Sequence, residues 1–326
     1  MDSPKTLQQA IQYFSDEQVC IDAVAAMRWS DGPRCPDCHF DEAKNPYYLK
    51  TQKRWKCRTC RRQFSVKVGT IFEDSPIPLQ KWLPALWLLT SCKNGVSSWE
   101  LHRALGVSQK TAWFMLHRLR LALKAPNMGT KLGSNDGGEV EVDETFVGGR
   151  IQNMHKDRKF RYLQSGGAHG GKTIVAGILD RDARKVRASI VPNVKRETLQ
   201  SNILKNVKHG SKVYSDDAVA YFDGLQSRYV HEVVNKTETY VRGQVHVNGM
   251  ENFWSLLKRG LKGTYVAVEP FHLERYVDEQ IFRFNNRATA DNPLDDSDRF
   301  LLALSQVANK RLTYKELTGK DTTTPF

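Results

Sequence analysis

Two cysteine doublets limit how this chain can fold more than any other feature of its sequence. Cys35-Pro-Asp-Cys38 is followed, after eighteen residues, by Cys57-Arg-Thr-Cys60. Two short turns of this kind each present two thiolates, and together they surround one tetrahedral zinc ion. We therefore predict one structural zinc and a zinc ribbon over residues 31–70. His39, beside the first doublet, is the alternative ligand.

The overall charge favours polyanions as partners. The chain has 326 residues and a formal net charge of +13, which directs attention to nucleic acid. No apolar run approaches the ~18 residues of a membrane span, and the first residues are polar, so we expect no membrane association and a cytoplasmic, nucleoid-associated protein. Cytoplasmic thiols stay reduced, which agrees with zinc ligation rather than disulfides.

The segment around the second doublet is strongly basic. Residues 50–67 contain eight cations and no acid, with Trp55 and Phe64 between them. Cations and aromatics on a small ribbon suit a phosphate backbone, and a solvated basic surface is the alternative. The predicted DNA contacts here are Lys53, Arg54, Lys56, Arg58, Arg61 and Arg62.

Residues 71–126 have the pattern of a helix-turn-helix. Ser97 and Glu100 form a capping box, Gly106 lies at the turn, and Ser108 can cap the second helix. A helical hairpin without a DNA-binding role is the alternative. The side chains expected to face DNA from an exposed surface are Gln109, Lys110, His117 and Arg118.

The chain changes character after a glycine-rich linker at residues 127–138. Residues 139–290 read as three strands, helix, strand, helix, strand and helix, which predicts a mixed sheet covered by helices in a ribonuclease H-like arrangement. Residues 1–30 form a helical segment, and residues 291–326 a C-terminal helix and tail. The expected fold is therefore α+β and multidomain, with the zinc ribbon and helix-turn-helix preceding a mixed α/β core.

Three acids occupy informative places in that core. Asp143 lies in the first strand, Asp216 ends the fourth, and Glu251 lies on a late helix. Neighbouring central strands and a crossing helix would bring these carboxylates together, where they repel one another unless cations bind. We predict two Mg²⁺ ions, with Mn²⁺ as the alternative, roughly 4 Å apart and acting on a phosphodiester.

Each acid has a competitor nearby. We prefer Asp143 because it lies nearest the C-terminal end of its strand, and Asp216 because Val213 and Ser215 define its side of the strand. The alternatives are Glu141 for Asp143, Asp217 for Asp216 and Glu279 for Glu251.

The stretch from His246 to Arg259 predicts an amphipathic helix. Phe253 and Trp254 belong to its apolar side, whereas Glu251 and Lys258 lie two turns apart on the polar side. This arrangement suits an acid that holds a metal and a cation that meets a phosphate. The solvated face of an ordinary amphipathic helix is the alternative.

These motifs together resemble the DDE transposases of bacterial insertion sequences, specifically the ISXO2-like group with an N-terminal zinc ribbon. The resemblance covers nearly the whole chain from about residue 15. It rests on CPDC with CRTC, VDETFVGG, SDDAVAYFDGL, HVNGMENFWSLLKRGLKGTY, HLERYVDEQIFRFNNR and RLTYKELTG.

The resemblance implies a metal-dependent DNA transposase. Its catalytic acids would be Asp143, Asp216 and Glu251, with Lys258 contacting DNA near the active centre. Hydrolysis at the ends of the element would expose a 3′-hydroxyl that then attacks target DNA, within a dimer or larger assembly on double-stranded DNA. The remaining implied or predicted site residues are Asn248, a neighbour that competes for the third acid's role, and Arg259 and Lys262, which extend the basic stripe toward DNA.

Two other classes compete with this interpretation. A domesticated DNA-binding regulator would keep the N-terminal modules without catalysis, and loss of an acid would mark it. A ribonuclease H-like structure-specific nuclease, such as a junction resolvase, would not need those modules.

Overall fold

A computed structural model gives the fold of two compact units. It describes residues 4–38, 46–124, 130–149, 156, 157, 159, 160, 172–216, 225, 227–234, 247–290 and 292–319. One unit comprises Met1–Ala125 with Asn286–Phe326, and the other comprises Pro126–Asn285. Within the described ranges, no helix combines the length and apolar character needed to cross a bilayer.

The described strands and helices of the second unit follow the order that the sequence pattern predicts. The helices are α1 (Leu7–Tyr13), α2 (Glu17–Arg28), α3 (Leu79–Ser91), α4 (Ser98–Leu105), α5 (Gln109–Leu123), α6 (Arg196–Asn206), α7 (Asn248–Gly260), α8 (Leu273–Asn285), α9 (Asp296–Ser305) and α10 (Tyr314–Leu317). The strands are β1 (Pro46–Leu49), β2 (Arg54–Cys57), β3 (Gln63–Phe64), β4 (Glu139–Val147), β5 (Thr173–Asp180), β6 (Lys185–Val191), β7 (Lys212–Asp216) and β8 (Val230–Val234). The helix predicted at residues 218–226 lies almost entirely outside the described residues.

The first unit combines a small antiparallel sheet with helices. Strands β1, β2 and β3 form a three-stranded meander. In the helical part, the capping box of Ser97 with Glu100 and the cap by Ser108 are both present, and Gly106 takes the left-handed conformation with φ 59°. These local predictions are confirmed. They could be made from the sequence because capping depends on residues only three positions apart.

The C-terminal segment belongs to this first unit. Helix α9 packs on α3, and the ring of Phe300 lies 5.3 Å from the rings of both Phe14 and Trp87. Further along, the Lys310 ammonium donates to the carbonyls of Ala122 and Lys124 at the end of α5. Residues from both ends of the chain therefore build one core.

The second unit is built on a five-stranded mixed sheet in the order β6-β5-β4-β7-β8. Strands β6, β5 and β4 are antiparallel, whereas β4, β7 and β8 are parallel. The last residue pair between β4 and β7 joins Val142 to Ser215. Continued by one residue, this register would place Asp143 beside Asp216.

The position of Asp143 within its strand differs from expectation. Strand β4 continues to Val147 along β5, so Asp143 lies at the middle of the strand rather than nearest its C-terminal end. Asp143 is instead the first residue beyond the pairing with β7. The reason is that β5 pairs with β4 over a longer stretch than the short strand β7 does.

The two faces of this sheet differ in chemistry. On the α6 side, Val140 and Val142 of β4 pack into an apolar cluster with Ile203. On the opposite side, Phe253 and Trp254 of α7 are buried in a second cluster, as predicted. Because side chains alternate along a strand, β4 presents carboxylates at positions 139, 141 and 143 to the α7 side.

Gly177 marks a close approach of α7 to the sheet. A Cβ at this residue of β5 would lie 2.4 Å from Met250 Cε and 2.8 Å from two ring carbons of Trp254. Gly177 also pairs directly with Asp143. The missing side chain therefore lets the indole of Trp254 lie across β5 toward Asp143.

Replacing Gly177 with alanine should destabilise the protein by about 1–3 kcal/mol, the usual cost of overpacking a core. Urea unfolding followed by circular dichroism would measure the change. Gly263→Ala is the matched control, because a Cβ there meets nothing within 4 Å, and its effect should stay within about 0.5 kcal/mol. Equal stability of the Gly177→Ala variant and the parent would contradict the close packing.

Candidate functional site

The four predicted zinc ligands come together in the first unit. The sulfur atoms of Cys35, Cys38, Cys57 and Cys60 all lie within 4.8 Å of one another. The Cys35–Cys60 and Cys38–Cys57 sulfur distances are 3.5 and 3.7 Å, close to the ~3.8 Å edge of a tetrahedron with Zn–S bonds of about 2.3 Å. The cluster has the size of a four-thiolate zinc site.

Local backbone geometry favours a thiolate in this cluster. Cys57 ends β2, and backbone N–H groups of Cys60 and Thr59 hydrogen bond to its sulfur. These bonds, led by that of Cys60, lower the pKa of the Cys57 thiol to about 6. A thiolate is the form of cysteine that binds metal, so these N–H groups favour that form at Cys57, whereas burial raises the pKa of Cys35 in the same cluster.

The aromatic residues of the basic segment are buried in the core of the ribbon rather than exposed on its surface. Trp55 and Phe64 are buried and stack with ring centroids 6.4 Å apart, and Trp29 packs edge-on against both. The expectation that they lie between the cations as part of a phosphate-binding surface is therefore wrong. A ribbon of short strands has few other apolar side chains with which to build a core.

The predicted cations of the ribbon fall into two groups. Lys53 is paired with Glu17, and Arg62 with Asp37, although both cations keep part of their surface in solvent. The Arg58 guanidinium lies 4.9 Å from the ring centroid of Tyr47. Arg54, Arg58 and Arg61 are exposed and Lys56 is half-buried.

Of the helix-turn-helix residues predicted to contact DNA, some lie at the surface and others lie in the core. Lys110 is exposed, with its ammonium 4.7 Å from the ring centroid of Tyr314, and the half-buried Gln109 donates to the Ser98 hydroxyl. In contrast, His117 and Arg118 are only 0% and 4% exposed. The expectation that these two residues face DNA from an exposed surface is wrong.

Packing within the first unit explains the burial of His117 and Arg118. The guanidinium of Arg118 lies 5.9 Å from the ring centroid of Trp82 and donates to the carbonyl of Glu73. The His117 ring packs edge-on against Trp113 at 4.7 Å. Helix α5 is covered on more than one side, so its middle belongs to the core.

Asp143 lies under α7 in the second unit. Its side chain is 8% exposed. One carboxylate oxygen accepts a hydrogen bond of 2.9 Å from the indole N–H of Trp254, and the other accepts one of 2.9 Å from the backbone N–H of Glu144. The indole therefore fixes the orientation of the carboxylate.

Glu141 lies two residues earlier on the same face and is more completely enclosed. It is 1% exposed. One oxygen receives the Arg181 Nε at 2.8 Å, and the other accepts the backbone N–H of Met250 at 2.9 Å. Glu141 is thus more deeply buried than Asp143 and is paired with a cation, which makes it a poorer metal ligand than Asp143.

Glu279, the alternative to Glu251, is also engaged. It is fully buried and accepts hydrogen bonds from the Tyr265 hydroxyl and the Arg283 guanidinium. Burial disfavours the charged form of Arg283, but the attraction of Glu279 outweighs this cost and raises the pKa of Arg283. The carboxylate of Glu279 therefore helps to pack α8 against the end of α7.

The outward side of α7 carries the remaining candidates. Asn248, Glu251 and Arg259 are exposed and Lys258 is half-buried. Lys262 is exposed on the π-helical turn Leu261–Tyr265, which continues from α7. The polar stripe predicted from the sequence therefore exists, and it adjoins the buried stripe that contacts Asp143.

Part of the predicted site lies outside the described residues. The side chain of Asp216 is among these, as are Asp217, His39 and His246, so the meeting of three carboxylates is not observed. Among the side chains that are described, only the four cysteines converge closely enough to share a metal ion.

Two residues of this site were not found from the sequence. Arg181 joins Glu139 at 3.0 Å and Glu141 at 2.8 Å, and Trp254 was expected only as an apolar anchor. An arginine in a tight turn gives no sequence signal of its buried partners. An indole N–H that must find an acceptor when buried was the available signal for Trp254.

Comparison with known proteins gives two family matches in chain order. A transposase zinc-ribbon domain matches residues 15–63, and an ISXO2-like transposase domain matches residues 136–285. These spans contain the cysteine cluster and the sheet with α7, respectively.

Two curated relatives agree with these matches. An uncharacterized protein in the transposable element ISH50 of Halobacterium salinarum is 27% identical over 258 residues, which is 77% of this chain and 85% of that protein. An uncharacterized transposase-like protein of Haemophilus influenzae is 34% identical over 102 residues, which is 31% of this chain and 82% of that protein.

Among solved structures, a cryo-EM structure of a simian T-cell lymphotropic virus intasome in complex with the PP2A regulatory subunit B56 gamma overlaps 56% of this chain and 63% of that chain. The identity is 12% and the TM-score is 0.28, too low to indicate a shared fold. The sequence matches carry the assignment: this chain belongs to the ISXO2-like transposase family of insertion elements, in the group with an N-terminal zinc-ribbon domain.

Proposed function

We propose that this transposase cuts and joins DNA in a ribonuclease H-like core whose catalytic acids are Asp143, Asp216 and Glu251. The register of β4 and β7 carries the proposal, because one step beyond the Val142–Ser215 pair would place Asp143 beside Asp216. Helix α7 packs on the same face of β4 through Trp254 and carries Glu251 one turn before that residue.

The described donors fit a hard divalent cation. The Asp143 carboxylate, oriented by hydrogen bonds from the Trp254 indole and the backbone N–H of Glu144, lies on the face of β4 that α7 covers. Carboxylate oxygens are the ligands that Mg²⁺ and Mn²⁺ prefer. When bound by the three acids, a pair of such ions would activate the attacking oxygen and stabilise the leaving oxygen of a phosphodiester.

The protein's own residues would orient the reaction. Trp254 holds the Asp143 carboxylate, while Lys258, Arg259 and Lys262 supply positive charge along α7 and the turn after it for the DNA backbone. Asn248, at the start of the same exposed stripe, would contact DNA or support Glu251. In the first step water attacks the scissile phosphodiester and the bond from phosphorus to the 3′ oxygen breaks, which leaves a 5′-phosphate and a free 3′-hydroxyl. In the second step this hydroxyl attacks a target phosphodiester, and the 3′ oxygen of the target strand departs as the new bond forms.

The first unit would recognise DNA ends. Exposed Arg54, Arg58 and Arg61 on the zinc ribbon suit phosphates, and the exposed start of α5 at Lys110 suits a groove of the duplex. Two ends must be joined in one event, so a dimer or larger assembly on DNA is part of the proposal.

Cleavage of a supercoiled plasmid that carries the element ends, in the presence of Mg²⁺, tests the catalytic proposal. Asp143→Asn and Glu251→Gln should each reduce strand-transfer products by at least about 100-fold, the effect of losing several kcal/mol of transition-state stabilisation. Glu144→Gln is the control, because this neighbouring carboxylate points to the other side of β4, and it should retain activity.

Other outcomes of the plasmid assay would favour the competing classes. Specific binding of the ends without any nicking by the parent protein would indicate a DNA-binding regulator. Nicking confined to branched junctions would indicate a structure-specific nuclease. Either result would contradict the proposed strand transfer.

The zinc prediction can be checked by native mass spectrometry of the purified protein. We expect one zinc per chain, and Cys57→Ser should lose it and expose the ribbon to protease, because short strands of this kind depend on the metal for folding. Cys92→Ser, which removes a cysteine outside the cluster, should keep the zinc. A metal-free parent protein would show that the four-thiolate interpretation is wrong.

A further inference from the structure

We propose that Glu141 is a positioning residue for the catalytic centre: its buried carboxylate caps α7 from the neighbouring strand and so fixes the place of Glu251. This inference rests on the proposed catalytic role of Glu251. It gives a function to the one acid on this face of β4 that is too enclosed to bind metal well.

The start of α7 needs such a partner. The first N–H groups of a helix have no acceptor within the helix, and the residue at the N-cap position, Val247, offers no side-chain oxygen. The N–H of Glu251 already bonds to the Val247 carbonyl at 3.0 Å. Directly before it, the N–H of Met250 is instead satisfied by Glu141, at 2.9 Å.

The charge of Glu141 is stabilised where it lies. A buried carboxylate is costly unless it is paired and hydrogen bonded. Arg181 pairs with Glu141 and also with Glu139, and its guanidinium lies 4.2 Å from the ring centroid of Tyr214. The Tyr214 hydroxyl in turn donates to Glu139 at 3.0 Å, so the network closes on itself within the sheet.

Glycine at position 249 makes the contact possible. A Cβ on Gly249 would lie 2.9 Å from the Glu141 oxygen that accepts the Met250 N–H, and 2.2 Å from Leu179 Cδ2. Any larger residue at this position would push the first turn of α7 away from β4. The close approach of helix to carboxylate is therefore built into two separate positions of the sequence.

The consequence is a short, rigid connection between two catalytic acids. Asp143 lies two residues after Glu141 on β4, and Glu251 directly follows Met250 on α7. Trp254 ties Asp143 to α7, and Glu141 ties β4 to the first turn of the same helix. Metal-dependent chemistry needs its ligands held to within about 0.5 Å, and this pair of hydrogen bonds supplies that restraint.

Three measurements on the full-length protein test the proposal. Hydrogen exchange of the metal-free protein reports the protection of the Met250 amide, titration calorimetry with Mn²⁺ reports metal affinity, and plasmid cleavage reports activity as a function of Mg²⁺ concentration. The variants are Glu141→Ala, Glu141→Gln and Gly249→Ala. Glu139→Gln is the matched control, because the side chain of Glu139 shares Arg181 with Glu141 and takes its other hydrogen bond from Tyr214 in the sheet.

We expect Glu141→Ala to speed exchange at Met250 by at least about 10-fold, the loss of one charge-assisted hydrogen bond. Mn²⁺ affinity should fall, and the Mg²⁺ concentration for half-maximal cleavage should rise, each by about 10-fold. A variant that was merely less stable would lose amplitude without this shift. Glu141→Gln retains an acceptor for the Met250 N–H and should restore most of both values, whereas Gly249→Ala should reproduce the alanine variant.

Two results would overturn the proposal. One is a Glu141→Gln variant with parental exchange at Met250 and no cleavage, which would make Glu141 a metal ligand. The other is Glu141→Ala or Gly249→Ala with parental Mn²⁺ affinity. If Glu141→Ala does not fold, the Glu141→Gln and Gly249→Ala variants still test the positioning role of Glu141. Full cleavage by Asp143→Asn would instead refute the proposed function itself, and the exchange data would stand apart from that failure.

Discussion

On the side of the sheet covered by α7, strand β4 places carboxylates where an apolar side chain would otherwise be expected. Burying these acids is unfavourable unless each has a partner, and the surrounding structure supplies one for each. Arg181 and a backbone N–H engage Glu141, and an indole N–H engages Asp143. These hydrogen bonds hold α7 close to β4, which explains why glycine is needed at 177 and 249. They also orient the carboxylate of Asp143, the proposed metal ligand.

The first unit must stabilise a sheet of very short strands. Its ribbon has strands of four, four and two residues, too short to sustain a core without a cross-link. Four converging thiols and the buried pair Trp55 and Phe64 together provide the needed stability. Aromatic residues used in this way are lost to DNA recognition, which leaves the exposed arginines to meet phosphates.

Local signals were read correctly from the sequence, and burial between distant segments was not. The capping box at Ser97, the glycine turn at Gly106 and the apolar stripe of α7 depend on spacings of three or four residues. His117 and Arg118 were placed on the wrong surface because helical periodicity describes which residues share a face. It does not show that other segments cover that face, as Trp82 and the carbonyl of Glu73 do for Arg118.

The sequence by itself predicted the cysteine cluster, the order of the described strands and helices, and the short list of candidate acids, because each depends on spacing and alternation along the chain. Only the tertiary structure shows how the surroundings of those acids differ. Glu141 and Asp143 are equivalent in pattern, and they differ because the N–H of Met250, 109 residues away, reaches one, while the indole of Trp254 reaches the other. Contacts at such separations depend on how α7 docks on the sheet, and no local pattern encodes that geometry.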